Sequence, residues 1–180
     1  MGLDIRKATV DDLNRLVELS LDLQLCMEKS NPRVWMITDE GKRTGLRKET
    51  EEMLLDAEGR LMVAVREGSI VGFAFGKVSR RTTHSPSVVG HISRVYIIEQ
   101  LRRRGIGMRL VEALYGFFHS EGVQEVTLRY VVGNTSAEHF WTKLGFRPVL
   151  TTALTSIGEL RETLANEQNT IPVEGRGRLG

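Results

Sequence analysis

Three consecutive arginines followed by two glycines are the residues of this sequence best suited to bind an anion: Arg102-Arg103-Arg104-Gly105-Ile106-Gly107. They lie between a β-type run and a run in which apolar residues recur at helical spacing. Glycines between a strand and a helix let backbone N–H groups point into one concavity, and the helix N-terminus adds about half a positive charge. Arginines are unfavourable beside that positive end unless an anion neutralises them. The segment therefore predicts a site for phosphate or pyrophosphate.

Positive charge is concentrated around the same segment. The 180-residue chain has a formal net charge of +2, but residues 77–110 carry eight basic side chains and one acidic one, Glu99. A local excess of this kind favours one anionic ligand over a polyanion that covers the surface. Since the chain also lacks a basic recognition helix and interleaved aromatic residues, we expect no nucleic acid partner.

Composition and short motifs exclude several other classes of protein. With 41% hydrophobic and 27% charged residues, the chain has the composition of a folded globular domain. It has no Gly-Lys-Ser or Gly-Lys-Thr, and Leu110 stands where a dinucleotide-binding fingerprint needs its last glycine. The single cysteine, Cys26, excludes an internal disulfide and a zinc site of several cysteines, and we expect no metal site. Without a long apolar run or a signal-peptide pattern, we expect a cytoplasmic protein that does not associate with membranes.

The remaining sequence predicts the elements that must position the arginine-glycine turn. Alternating apolar residues predict strands over residues 3–5, 61–66, 70–78, 88–98, 126–132 and 146–154, with the second and third joined as a hairpin by Glu67-Gly68-Ser69. Helical spacing predicts helices over residues 10–28, 39–57, 106–121 and 134–144, the last capped by Asn134 and ended by Gly145. Residues 1–155 form the predicted domain. Residues 156–180 form a C-terminal extension, with a short helix over residues 157–164 and a mobile tail from residue 166.

Two segments resemble a known family. The turn from Arg102 to Gly107 resembles the Gln/Arg-x-x-Gly-x-Gly/Ala signature of the GNAT superfamily of acyl-CoA N-acyltransferases. The stretch Asn134-Thr-Ser-Ala137-Glu-His-Phe140-Trp141-Thr-Lys-Leu-Gly145-Phe146 resembles the family's Asn-x-x-Ala-x-x-Phe-Tyr-x-x-x-Gly-Phe segment. The resemblance covers residues 3–151. It implies an α/β fold with a mixed, mostly antiparallel central sheet that is splayed between its two middle strands and flanked by about four helices.

The resemblance also implies a reaction and a cosubstrate. The expected reaction is transfer of an acetyl group from acetyl-CoA to a primary amine, by direct attack of the amine in a ternary complex. Val95, Tyr96 and Ile97 would hold the pantetheine arm, and Asn134 would contact the same part of the cosubstrate as well as cap a helix. The pyrophosphate would bind at the turn, on Arg102, Arg103, Arg104, Gly105, Ile106, Gly107 and Met108.

The catalytic groups are less well defined. An amine is mostly protonated near neutral pH, so a base must remove a proton before the attack. His91 is our candidate because it lies on the strand before the turn and a histidine titrates near neutral pH; Glu99 as base, or a His91 that is only structural, are alternatives. Trp141 stands where the family often has an acidic tyrosine, and an indole is an apolar wall rather than an acid. Either Tyr96 or Tyr130 would then protonate the leaving thiolate, or no side chain does.

Two questions stay open. The missing tyrosine at position 141 also fits a catalytically weak module that binds acyl-CoA as a sensor. The amine acceptor is not defined, since a protein N-terminus, a lysine, a polyamine and a small metabolite all fit the sequence. The C-terminal tail could pack on a second copy of the chain and form a homodimer.

Overall fold

The sheet of this protein has five strands, which are β1 (Leu3–Lys7), β2 (Gly59–Arg66), β3 (Ser69–Arg80), β4 (Val88–Ile97) and β5 (Glu125–Leu128). They lie side by side in that order. The first four are antiparallel to their neighbours, and β5 runs parallel to β4. The structure is a computed structural model that describes residues 2–34, 36–83 and 85–170.

The described residues also contain five α-helices: α1 (Leu13–Ser30), α2 (Leu46–Leu55), α3 (Ile106–Ser120), α4 (Thr135–Lys143) and α5 (Ile157–Thr170). A π-helical turn over Gly41–Gly45 leads into α2, and short 3-10 turns cover Val10–Asp12 and Glu99–Leu101. The predicted mixed, mostly antiparallel α/β fold is confirmed. The chain divides into two compact units, residues 1–140 and 141–180, and the domain boundary at residue 155 stays a prediction.

The predicted hairpin is confirmed, with a turn of two residues. Glu67 and Gly68 lie between the end of β2 and the start of β3, with φ angles of 52° and 77°. Two consecutive positive values are those of a type I′ turn, whose twist matches that of the paired strands.

One face of the sheet packs against α1 and α2. Leu16 and Leu19 of α1 are fully buried in a cluster with Phe73 and Phe75 of β3 and Met53 of α2. Because side chains alternate along a strand, the residues between these phenylalanines face the opposite side of the sheet.

The opposite face packs against α3, and two glycines bring this helix close to the strands. A Cβ atom added to Gly76 of β3 would lie 2.6 Å from Cζ of Phe118, and one added to Gly90 of β4 would lie 3.1 Å from Cδ1 of the same ring. Leu110 and Leu114 of α3 are fully buried. This packing fixes α3 on the sheet, and with it the N-terminus that follows the arginine-glycine turn.

Two strand predictions are corrected by the structure. β5 ends at Leu128, so the strand predicted over residues 126–132 is too long. The strand predicted over residues 146–154 is wrong, since these residues form no regular secondary structure. A strand needs backbone donors and acceptors that pair; Pro148 has no N–H to donate, and Val149 and Leu150 are 83% and 92% exposed.

The predicted helices all form, and the last one is longer than expected. The helix predicted over residues 157–164 continues to Thr170 as α5. Residues 166–170 of the predicted mobile tail are therefore helical, and the rest of that tail lies outside the described residues.

We expect Gly76→Ala to destabilise the protein, because the added methyl group overlaps the buried ring of Phe118. Overpacking of this kind costs about 1–3 kcal/mol of unfolding free energy. Gly116→Ala is the matched control, since Gly116 lies on α3 with nothing within 4 Å of an added Cβ, and alanine favours a helix by about 0.5–1 kcal/mol. Urea unfolding followed by circular dichroism measures both. A Gly76→Ala variant as stable as the wild type would contradict the close packing of α3.

Candidate active site

β4 separates from β5 halfway along its length. The last pair of their parallel ladder joins Ile92 to Leu128, whereas β4 continues to Ile97. Residues 93–97, which we call the open edge, therefore have no strand on their β5 side within the described part of the chain. The predicted splay between the two strands is present in the structure.

A β-bulge marks the point of separation. On β3, Gly76 pairs with Ile92 and Phe75 pairs with Arg94, which leaves Ser93 as the extra residue of β4. A bulge bends and twists its strand, so it directs the open edge away from β5.

Alternate residues of the open edge present their backbone to the gap. The Ile98 N–H donates to the Val71 carbonyl over 3.0 Å, which fixes the phase of the β3–β4 ladder. Because bonded and non-bonded pairs alternate in an antiparallel ladder, the backbone of Tyr96 faces β3. The N–H and C=O groups of Val95 and Ile97 face the gap. We predicted that Val95, Tyr96 and Ile97 hold a pantetheine arm; Val95 and Ile97 face the gap, whereas the Tyr96 backbone is bonded to β3 and does not.

The turn after β4 contains two residues with a left-handed backbone. Arg103 has a φ angle of 62° and Gly105 one of 79°. The first helical bond of α3 runs from the Arg109 N–H to the Gly105 carbonyl over 3.2 Å, so the N–H groups of residues 106–108 have no partner within the helix. They lie at the positive end of the helix dipole, where an anion is stabilised.

The three arginines of the turn have different surroundings. Arg103 and Arg104 are exposed and form no hydrogen bond or ion pair with any described residue, Glu99 included. Arg102 instead points back to β4. Its Nε donates to the Ile97 carbonyl over 3.0 Å, and its guanidinium lies 5.4 Å from the centroid of the Tyr96 ring.

Asn134 caps α4, and the loop before it is attached to α1. The Asn134 Oδ1 accepts the Ala137 N–H over 3.1 Å, which confirms the predicted cap. Within the same loop, the Val132 carbonyl accepts a hydrogen bond from Asn31 Nδ2 over 3.1 Å. The chain that leaves β5 is thus held by α1, which keeps it from continuing along β4.

Trp141 lies where α4 ends in a Schellman motif. The N–H groups of Phe146 and Gly145 donate to the carbonyls of Trp141 and Thr142 over 3.1 and 3.0 Å, with Gly145 at a φ angle of 91°. The rings of Trp141 and Phe146 meet edge to face, with centroids 5.4 Å apart. These contacts fit an apolar packing role for the indole.

His91 lies two residues before the bulge and is hydrogen-bonded to β5. Its Nδ1 is 3.0 Å from Oγ1 of Thr127, and that hydroxyl donates to the Gly90 carbonyl over 3.3 Å. A hydroxyl has only one proton to donate, so Thr127 must accept the proton on His91 Nδ1. The neutral imidazole then has its lone pair on Nε2, as a general base requires.

The surroundings of His91 favour its neutral form. Burial, and then the positive charge of Arg129, hold the pKa of His91 below its ordinary value of 6.5. Lys77 is its neighbour on β3, and this ammonium is bonded to Asp56 over 2.7 Å. These surroundings favour the neutral imidazole over the imidazolium.

The structure does not bring Tyr96 and His91 together. Five residues of one strand separate them, which is about 16 Å at 3.3 Å per residue. Tyr96 packs against the cluster of α1 and β3; burial and the charge of Asp22 raise the pKa of its phenol, and Arg102 partly offsets this. Tyr130 is half-buried and lies two residues beyond the end of β5.

Other candidates contribute nothing to this site. Among the described residues, no group of three or more histidine, cysteine, aspartate or glutamate side chains could hold a metal ion. Cys26 is half-buried, with Sγ 4.0 Å from Arg102 Nη2.

Among the residues that the structure describes, no helix has the length and apolar character needed to span a bilayer.

Sequence reasoning missed three residues of this region: Ser93, Thr127 and Arg129. The alternation of residues 125–130 could have shown that Thr127 and Arg129 share one face. It could not have shown which residue of β4 they lie beside, because that depends on the register of two strands distant in sequence.

Comparisons with known proteins support the same reading of the fold. The model of the acetyltransferase (GNAT) family matches residues 21–146. An N-alpha-acetyltransferase from Sulfurisphaera tokodaii is 25% identical over 151 residues, which are 81% of this chain and 80% of that protein. A transcriptional regulator from Bacillus halodurans C-125 superposes with a TM-score of 0.70 at 22% identity, over 87% of this chain and all of the other. AAC(6')-Iy, in complex with the bisubstrate analogue CoA-S-monomethyl-acetylneamine, superposes with a TM-score of 0.65 at 19% identity. The superposition covers 87% of this chain and 98% of the other.

The splayed sheet, the arginine-glycine turn and these likenesses define an acyl-CoA-dependent acetyltransferase. The chain belongs to the GNAT acetyltransferase family.

We expect Arg129→Gln to raise the pKa of His91 toward its ordinary value, because a nearby cation disfavours the imidazolium and the substitution removes it. The measurement is an NMR titration of the His91 ring in both proteins. Arg66→Gln, at the distant β2–β3 turn, is the matched control and should leave the titration unchanged. A His91 pKa that is the same in all three proteins would contradict this placement of Arg129.

Proposed function

We propose that this protein transfers an acetyl group from acetyl-CoA to a primary amine, by direct attack of the amine in a ternary complex. The observation that carries the proposal is the open edge of β4, which leads directly into the arginine-glycine turn. Coenzyme A has amide groups in its pantetheine arm and a pyrophosphate beyond them. Its hydrogen-bonding groups therefore match the backbone of the open edge and the unpaired N–H groups of the turn, in that order.

The residues of the open edge and the turn would share the binding of the cosubstrate. Val95 and Ile97 would bond the pantetheine amides, and the N–H groups of residues 103–108 would hold the pyrophosphate together with the side chains of Arg103 and Arg104. Arg102 already donates to the Ile97 carbonyl, so a pantetheine amide would either use the second lone pair of this oxygen or displace Arg102 from it. In the second case, the guanidinium would become available to a phosphate.

His91 would act as the general base. With the pyrophosphate at the turn and pantetheine along Val95 and Ile97, the thioester end lies toward Ser93. His91 is two residues, or about 7 Å, from Ser93, whereas the Tyr96 side chain packs against the cluster of α1 and β3. The Nε2 of His91 would take a proton from the amine, directly or through one water.

Backbone and side-chain donors would complete the transfer. N–H groups at the open edge would stabilise the charge that develops on the carbonyl oxygen. The acetyl group leaves a thiolate whose conjugate acid has a pKa of about 8.5, and we propose Tyr130 rather than Tyr96 or Trp141 as its proton donor. Asn134 would contact the pantetheine side while it caps α4.

The comparisons favour one acceptor to test first. The relative from Sulfurisphaera tokodaii is named an N-alpha-acetyltransferase, and the match covers most of both chains. The α-amino group of a polypeptide is therefore our first candidate acceptor. AAC(6')-Iy is named an aminoglycoside N-acetyltransferase, which makes amino sugars the second.

An acceptor screen tests the proposed function. The purified protein is incubated with acetyl-CoA and a panel of peptides, polyamines and amino sugars, and the release of free thiol is followed. We expect acceptor-dependent release with at least one peptide and no release with N-acetylated peptides. Tight binding of acetyl-CoA without turnover on any amine would contradict an enzyme and favour a sensor module.

We expect Gly105→Leu to lower the affinity for acetyl-CoA about 100-fold or more, because its side chain would fill the concavity and remove bonds to a charged group. Gly68→Leu is the matched control. Gly68 and Gly105 have nearly equal φ angles of 77° and 79°, with nothing within 4 Å of an added Cβ, so the backbone strain is the same in both variants. Calorimetry measures the affinities and urea unfolding the stabilities. An unchanged affinity in Gly105→Leu would contradict a pyrophosphate site at this turn.

We expect His91→Gln to lower kcat about 100-fold, the usual contribution of a general base. In the wild type, kcat should fall as the pH drops through the pKa of His91, below 6.5, and this limb should vanish in the variant. His119→Gln, at the end of α3, is the control and should keep both the rate and the limb. A pH–rate profile that His91→Gln leaves unaltered would exclude His91 as the base.

A further inference from the structure

Arg129 lies beside the point where β4 and β5 separate. It is the first residue after Leu128, the last of the ladder. The side chains of residues 125–130 alternate between exposed and half-buried, so Arg129 projects to the same face as Thr127, the partner of His91. Leu128 pairs with Ile92, the residue before Ser93, so Arg129 leaves the ladder next to the start of the open edge.

Arg129 differs from the other cations on this face of the sheet. The Lys77 ammonium is bonded to Asp56, and the Arg94 guanidinium to Glu49 of α2. Arg129 has no hydrogen bond or ion pair with any residue that the structure describes, and it is exposed. Burial, and then the charge of Arg129, hold the pKa of His91 below its ordinary value. A cation without a counterion therefore stands next to the candidate base.

We propose that Arg129 binds a carboxylate of the amine acceptor, so that the preferred substrate is a polypeptide whose N-terminal residue is aspartate or glutamate. This inference rests on the proposed function, which places the reacting amine beside His91. The side-chain carboxylate of such a residue is only a few bonds from its α-amino group, so the two groups can reach Arg129 and His91 together. A planar guanidinium can hold a carboxylate through two parallel hydrogen bonds.

The position of Arg129 separates this role from cosubstrate binding. The arginines of the turn lie at the far end of the open edge, beyond Ile97, whereas Arg129 lies at its start. A cation there would contact the acceptor side of the thioester and not the pyrophosphate. Arg129 is thus a specificity residue for the acceptor.

Matched acceptor peptides test the proposal. Two pairs are compared with acetyl-CoA, each pair identical except for Glu or Gln, or Asp or Asn, as first residue. In the wild type we expect kcat/KM to be about 10- to 100-fold higher for the acidic member, the range for a hydrogen bond to a charged group. The comparison is made at pH 8.5, where His91 is neutral with or without Arg129 because its pKa lies below 6.5 in the wild type and moves only toward that value in the variant. At this pH, Arg129→Gln should abolish the preference, chiefly by raising KM for the acidic peptides, and leave the amide peptides within about threefold. Arg129→Lys should retain part of the preference, and Arg66→Gln all of it.

Other outcomes overturn the proposal. Equal kcat/KM values of the wild type for the two members of each pair would do so. So would an Arg129→Gln variant that loses the same factor on all four peptides, since Arg129 would then act only through the charge state of His91. If the wild type releases no thiol with any acceptor, the proposed function fails. The preference is then measured by calorimetry as binding of the same peptides in the presence of coenzyme A, where equal affinities would overturn it.

Discussion

The separation of β4 from β5 after the Ile92–Leu128 pair is the constraint on which the rest of the structure depends. Backbone N–H and C=O groups that are taken out of water need partners. Val95 and Ile97 are only half-exposed, and in the part of the chain that the structure describes, their groups on the β5 side have no strand to pair with. Two features accompany this separation: the bulge at Ser93, and the hydrogen bond from Asn31, the C-cap of α1, to the Val132 carbonyl beyond β5. A bound molecule with amide groups can take the place of the missing strand.

The two ends of the open edge differ in their electrostatic surroundings. At one end, the N-terminus of α3 and the arginines 103 and 104 provide positive charge, and neither arginine has a counterion among the described residues. At the other end, burial and then the charge of Arg129 hold the pKa of His91 below its ordinary value, and its Nδ1 lies 3.0 Å from Oγ1 of Thr127. The glycines beneath Phe118 hold α3 on the sheet, so both ends have fixed positions relative to β4. In the proposed function, the pyrophosphate site, the pantetheine site and the general base would therefore follow one another along β4.

The sequence alone defined the local elements and the turn, because both depend on residues close in sequence. The arginine-glycine turn, the Glu67-Gly68 hairpin turn and the Asn134 cap follow from the backbone preferences of glycine and from the hydrogen-bonding reach of asparagine. The register between β4 and β5 could not be predicted, since it joins residues 36 positions apart. The partners of His91, the bulge at Ser93 and the bond from Arg102 to Ile97 all depend on that register or on tertiary packing. The expected strand over residues 146–154 failed for a related reason: its pattern gave no information about whether a partner strand is adjacent.

Hydrogen exchange at single residues of β4 tests the central claim most directly. In the free protein, the amides of Arg94 and Tyr96 should exchange slowly, because they bond to β3, and those of Val95 and Ile97 should exchange faster. Addition of coenzyme A should slow exchange at Val95 and Ile97 and leave the alternate amides unchanged. No protection at these two residues, with coenzyme A bound at saturation, would contradict an open edge that binds the cosubstrate as a substitute strand.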